Sequence, residues 1–163
     1  MNDFSLSVRL LLLLSVANTA PIVATRLLGI RWGLPLDAGW NFIDGRPLLG
    51  SSKTVRGFVS AIVCAAIAAA LLGFSLGLGA KVGTFAMLGD AVSSFMKRRL
   101  GITPSGRALG IDQIPESLLP LIMVRGPLNL SLLQIAAITA AFVALEMPLA
   151  RLLFRLGLRD RPY

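Results

Sequence analysis

From Gly57 to Ala80 the chain reads GFVSAIVCAAIAAALLGFSLGLGA, twenty-four residues without a single charge. A hydrocarbon core needs roughly 20 consecutive apolar residues of helix, so this run is long enough to cross one. A second uncharged run, Gly126 to Leu145, meets the same requirement. Leu10 to Thr25 is apolar between Arg9 and Arg26, whose long stems can snorkel towards opposite interfaces and lengthen the span. A cleaved signal peptide is the competing reading of that segment, but no Ala-x-Ala site closes it; Asn18, Pro21 and Arg26 follow instead.

Outward from these runs the pattern holds. The 163 residues are 55% hydrophobic with a mean hydropathy of +0.78, and the charges gather in a few short segments. That is the composition of a membrane protein. Two weaker spans, around Asp90 and from Ile114 to Val124, complete an all-α, integral membrane bundle of about five transmembrane helices. The spans fall at about 9–28, 57–79, 81–97, 113–125 and 128–153, in a single domain covering 1–163. One side then carries Arg31, Arg46, Lys53 and Arg56, then Lys97, Arg98, Arg99 and Arg107, then Arg151, Arg155, Arg159 and Arg161. The other side has Arg9, Lys81 and Arg125. The positive-inside rule places the basic side and the C-terminus in the cytoplasm and the N-terminus outside.

The net charge of +8 could suggest nucleic acid, but most basic residues border apolar spans, where lipid headgroups and small phosphorylated substrates are nearer partners. The expected partners exclude nucleic acid. Cys64, the one cysteine, lies inside the second span and reads as a buried structural thiol. Gly73-x-x-x-Gly77 offers a small-residue face for helix packing or a homodimer.

With no histidine in the chain, imidazole bases, His-ligated zinc and Ser-His pairs are excluded. Carboxylates, Lys, Arg and hydroxyls remain, which suit hard cations such as Mg²⁺ and phosphate oxygens. Phosphoryl or nucleotidyl transfer fits, because an ionised phosphate nucleophile needs alignment and charge neutralisation but no base.

Three segments converge on the basic side. In Gly89-Asp90-Ala91-Val92-Ser93-Ser94-Phe95-Met96-Lys97-Arg98-Arg99, helical spacing puts Asp90, Ser93, Ser94 and Lys97 on one stripe. That stripe pairs a cation-holding carboxylate with a phosphate-meeting lysine; the bland alternative is a neutralised Asp90 and an ordinary positive-inside anchor. Asp112-Gln113-Ile114-Pro115-Glu116 has the pattern of a helix start, so Asp112 reads either as a cap or, with Asp90, as half of a metal pair. Asp44 to Gly57 leads into the second span, and its helix-start amides with Lys53, Thr54 and Arg56 suit an anion; a solvated interfacial loop is the alternative. Two residues separate Gly50 from Lys53 and no strand precedes them, so this is not a Walker A loop. Asp44-Gly45-Arg46 lacks the denser aspartate array of a CDP-alcohol phosphotransferase.

In this order the motifs resemble those of the archaeal CDP-archaeol synthases, relatives of the phosphatidate cytidylyltransferases. The residues concerned are Ala17-Asn18-Thr19-Ala20-Pro21, Pro35-Leu36-Asp37, Gly50 to Gly57, Gly89-Asp90, Ser94-Phe95, Lys97-Arg98-Arg99, Asp112-Gln113 and Arg161-Pro162-Tyr163. The resemblance implies transfer of CMP from CTP to a membrane lipid phosphate with release of pyrophosphate, by an integral protein of the inner (cytoplasmic) membrane whose site faces the cytoplasm. It implies Asp90 and Asp112 as metal ligands for Mg²⁺, with a second, monovalent cation allowed for. Lys53, Thr54, Arg56, Ser94, Lys97 and Arg98 become phosphate-binding residues, and Asp90, Asp112, Lys53 and Lys97 the catalytic set. The family usually has Asp-Gln-x-Asp, whereas this chain puts Pro115 last and Glu116 one place later. Either Glu116 substitutes after a local shift, or metal binding rests on fewer ligands. The alternative class is a small transporter or lipid-binding scaffold, with Asp90 as a coupling or pairing carboxylate.

Overall fold

In a computed structural model, residues 3–29, 33–102 and 110–157 are described. Arg31, Arg107, Arg159, Asp160 and the Arg161-Pro162-Tyr163 motif lie outside them. The described residues form five α-helices: α1 (Asp3–Leu28), α2 (Val55–Leu71), α3 (Leu76–Arg99), α4 (Gln113–Leu128) and α5 (Leu132–Arg155). Beyond the helices these residues contain two isolated antiparallel bridges, Pro35 with Thr54 and Asn41 with Pro47, both in the loop between α1 and α2. By length and composition α1 and α5 are long and apolar enough to cross a membrane, and α2 is a shorter apolar helix.

Each helix start has a local cause. Thr54 caps α2 by accepting from Gly57 N, and Ser75 caps α3 by accepting from Leu78 N. Ser131 and Gln134 form a reciprocal capping box at α5. Asn129, in a left-handed conformation at φ +51, ends α4.

Two expectations are corrected by these boundaries. The uncharged run from Gly57 is not one helix through residue 79: α2 stops at Leu71, Gly73 turns the chain at φ +82, and α3 begins after Ser75. Hydropathy cannot register a turn made of Gly and Ser inside an apolar run. Gly73 and Gly77 therefore sit on either side of a turn and form no common helix face, and a Cβ on Gly77 would meet nothing within 4 Å. The small-residue contact lies one turn further on. A Cβ on Gly79 would come within 2.4 Å of Ala65 O, and one on Gly83 within 2.8 Å of Ala61 O. Gly79 and Gly83 thus press α3 against the fully buried Ala61, Ala65 and Ala69 of α2, a small-xxx-small interface used within the chain.

The core is a layer of Leu10, Leu13, Leu14 and Ala17 from α1, the alanines of α2, Val82 and Ala86 of α3, Leu121 and Val124 of α4, and Ile138 and Phe142 of α5. α3 is the central helix, packed on α1, α2 and α4. It carries the polar stripe read from the sequence.

Candidate active site

The ends of α1 (Leu28) and α3 (Arg99) meet the starts of α2 (Val55) and α4 (Gln113) at what we call the basic end of the bundle. At this end α3 and α4 touch through bare backbone. A Cβ on Gly89 would lie 2.2 Å from Pro115 O and 2.6 Å from Glu116 Cα. Glycine alone permits that approach, and it sets Asp90, the next residue, beside the first turn of α4.

Two ion pairs cross this junction. Lys53, from the end of the α1–α2 loop, donates to both carboxylate oxygens of Asp90 at 2.6 Å. Lys97, two turns along α3 from Asp90, lies 2.5 Å from Asp112 Oδ1, and both side chains are largely buried. Asp112 occupies the N-cap position of α4 with helical dihedrals and makes no side-chain capping bond. The carboxylate faces Lys97 instead of its own helix, which removes the capping reading.

Ser94 and Arg98 are buried on α3, and Ser93 donates to Asp90 O at 2.9 Å. Thr54 uses its hydroxyl oxygen as the α2 cap. The Arg56 guanidinium donates to Thr25 Oγ1 at 2.9 Å and to Gly29 O, tying the start of α2 to the end of α1. The structure therefore brings Lys53, Asp90, Ser94, Lys97, Arg98 and Asp112 to one junction. It commits Thr54 and Arg56 to helix ends beside that junction.

Glu116 is 7% exposed and lies within electrostatic range of Asp90, Asp112, Lys53 and Glu146. Glu116 stands one turn on from Asp112, since i and i+4 share a face, but it points about 100° away from position 115. On α5, Glu146 lines a small cavity of about 30 Å³ with Ser15, Asn18 and Thr19 of α1, and its Oε2 is buried without a hydrogen-bond partner.

The loop from residue 33 to 54 is an ordered unit. Asp37 accepts from Gly39 N (3.0 Å), Leu49 N (2.8 Å) and Gly50 N (3.0 Å). Burial acts to raise the Asp37 pKa, but these amides outweigh it and hold the carboxyl below its ordinary value. Leu36 N donates to Lys53 O and Val55 N to Leu34 O, which fixes the backbone at Lys53. The roles of Asp37, Asp44, Arg46 and Arg99 were not assigned from sequence; Asp-x-Gly at 37–39 and Asp-Gly at 44–45 are turn signals, though they do not reveal what the turns hold.

For a divalent cation, the donor set is chemically suitable: hard carboxylate oxygens on two helices held at a glycine contact. Among the described residues no three His, Cys, Asp or Glu side chains converge at metal-binding distance. Mg²⁺ does not demand such a cage, since it commonly takes one or two carboxylates plus substrate phosphates.

An ionic junction inside an apolar all-α bundle, rich in lysine and carboxylate and lacking imidazole, defines a class: an intramembrane enzyme that handles phosphate. The comparisons make the class specific. The model of the CarS-like, CDP-archaeol synthase family matches residues 4–163. A CDP-archaeol synthase of Thermofilum pendens is 37% identical over 91% of this chain and 76% of its own length. One of Sulfurisphaera tokodaii is 31% identical over 82% and 84%, respectively. A solved structure described as an intramembrane enzyme for archaeal membrane lipids biosynthesis shares 30% identity and superposes with a TM-score of 0.72 over 86% of this chain and 90% of its own. The chain belongs to the CDP-archaeol synthase family, and it is an integral membrane protein.

Proposed function

We propose that this protein transfers the cytidylyl group of CTP to the phosphate of a membrane lipid, forming a CDP-lipid and pyrophosphate. A lipid phosphate oxygen attacks the α-phosphorus of CTP, the bond to the β-phosphate breaks, and pyrophosphate leaves with its electron pair. The observation that carries this reading is the junction itself: two lysines and two aspartates from three elements meet at a glycine contact in a chain of this family.

In this reading Asp90 and Asp112 would hold Mg²⁺, with Glu116 as a further carboxylate one position later than the family's usual spacing. The bound cation supplies neutralisation of the charge that develops on the phosphates. Lys53 and Lys97 meet phosphate oxygens, aided by Arg98 and Ser94, while Thr54 and Arg56 hold the backbone from which Lys53 projects. No covalent enzyme intermediate is required.

All five helices are assigned as spans, with the basic end in the cytoplasm, where CTP is found, and the N-terminus outside. Reporter fusions after Lys81 and after Tyr163 should report opposite compartments; matching signals would overturn this topology. Activity is tested with purified protein in detergent, CTP, Mg²⁺ and either an ether-isoprenoid or a diacyl lipid phosphate. Formation of a CDP-lipid with one of them is expected, and the preference identifies the acceptor. Absence of product with both would favour a scaffold.

A further inference from the structure

The run Lys97-Arg98-Arg99 reads as one basic cluster, but successive helical residues point about 100° apart, and these three go to different places. Lys97 meets Asp112 and Arg98 is buried in the helix junction. Arg99 turns to the α1–α2 loop. Its Nη1 donates to Asp44 Oδ1 at 2.7 Å, and its Nη2 to Pro47 O at 2.7 Å and Arg46 O at 3.3 Å. The guanidinium carbon lies 4.9 Å from the ring centroids of both Phe42 and Phe95, which pack edge to face at 5.2 Å. In return, Arg46 Nη1 donates to the carbonyls of Arg98 (3.2 Å), which also accepts from Gly101 N, and Arg99 (2.6 Å) at the C-terminus of α3. Asp44 also holds its own turn by accepting from Arg46 N.

We propose that Arg99 is a positioning residue: paired with Arg46, it clasps the loop to the end of α3 and so holds Lys53 at Asp90. Both terminal nitrogens of Arg99 are committed to the loop and its Nε is buried. The chain path supports transmission. Pro47, held by Arg99, is followed by Leu49 and Gly50, held by Asp37; Gly50 O accepts from Lys53 N, and Lys53 reaches Asp90. Every link between the clasp and the lysine is a hydrogen bond or a few residues of chain. Lysine cannot replace Arg99, because one ammonium cannot span Asp44 and Pro47 while stacking on two rings.

The clasp is a matter of geometry; its consequence for CTP rests on the function proposed above, and the test separates the two. In the full chain with Cys64→Ser, a spin label on Ile43→Cys, at the exposed loop tip, reports loop order independently of activity. Arg99→Lys and Asp44→Ala should each loosen the label while changing the melting temperature little. Each should also raise the KM for CTP about tenfold and lower kcat as well, because the displaced Lys53 belongs to the catalytic set, and the double variant should be no worse than either single one. Phe42→Leu should act in the same direction. An immobile label in Arg99→Lys, or an Asp44→Ala enzyme with unaltered KM for CTP, would overturn the proposal. A loosened label in a protein that makes no CDP-lipid would support the clasp and defeat the cytidylyl-transfer reading instead.

Discussion

Lys97 Nζ lies 2.5 Å from the Asp112 carboxylate, joining the last turns of α3 to the N-cap of α4 within a largely buried junction. Removing one member of a buried pair leaves the other charge without compensation, whereas replacing both with apolar groups avoids that penalty. Lys97→Met or Asp112→Asn should cost roughly 2–4 kcal/mol, the upper values being reduced by the partial exposure of Asp112. The double variant Lys97→Met/Asp112→Leu should be more stable than the sum of the single effects implies. Unfolding in detergent as a double-mutant cycle measures this, and strict additivity would show that the pair does not interact.

The contact of Gly89 with the Pro115–Glu116 backbone predicts a contrast between glycines. Gly89→Ala must push α4 off α3, because the obstructing atoms are backbone. It should lower the melting temperature by several degrees and turnover by more than tenfold, on the scale of about 1–3 kcal/mol for an overpacked core. Gly77→Ala, with open space around its Cβ, should be close to silent. Equal behaviour of the two variants would disprove the close approach of the helices.

Asp37 predicts a pH dependence. Its carboxyl titrates below the ordinary value of 3.8 in the folded loop. A depressed pKa contributes stability that is present above the unfolded value and is lost as pH falls through the folded one. Protection of the Leu49 and Gly50 amides from hydrogen exchange should therefore hold at neutral pH and fade below about pH 4. Asp37→Asn should weaken protection at neutral pH and remove its acid dependence; an unchanged profile would show that the carboxylate does not organise the loop.

Glu116 predicts a functional rescue. Glu116→Gln should reduce turnover at least tenfold and raise the Mg²⁺ needed, if its carboxylate completes the cation's surroundings. Adding Pro115→Asp to that variant restores the spacing usual in the family and should recover part of the loss. A Glu116→Gln enzyme with normal turnover and normal Mg²⁺ dependence would remove the residue from the site.

Much of this architecture is written in helical spacing. Asp90, Ser93, Ser94 and Lys97 form the expected stripe because a 3.6-residue period needs no knowledge of the partner helix. Asp112 was ambiguous in sequence, since a helix-start aspartate serves equally as a cap or as a charge partner; only the position of Lys97 decides. Glu116 departs from the usual spacing by one position, about 100° around the helix from position 115, yet as i+4 it returns to the side of Asp112. The turn at Gly73 was hidden because its residues are as apolar in composition as the helices they separate. The role of Arg99 was not legible: neighbours in sequence are not neighbours on a helix, and its partners, Phe42, Asp44 and Pro47, are more than 50 residues away in the chain.

The most direct test of the central claim is CDP-lipid formation from CTP and a lipid phosphate by the purified protein beside its Asp90→Asn variant. Asp90 carries both the contact with Lys53 and the proposed role at the cation. The native protein should form CDP-lipid and pyrophosphate in equal amounts, and Asp90→Asn should be slower by at least about a hundredfold if it supports charge neutralisation in the transition state. Equal rates for the two would contradict the role of Asp90, and no CDP-lipid from the native protein with either class of acceptor would contradict the account itself.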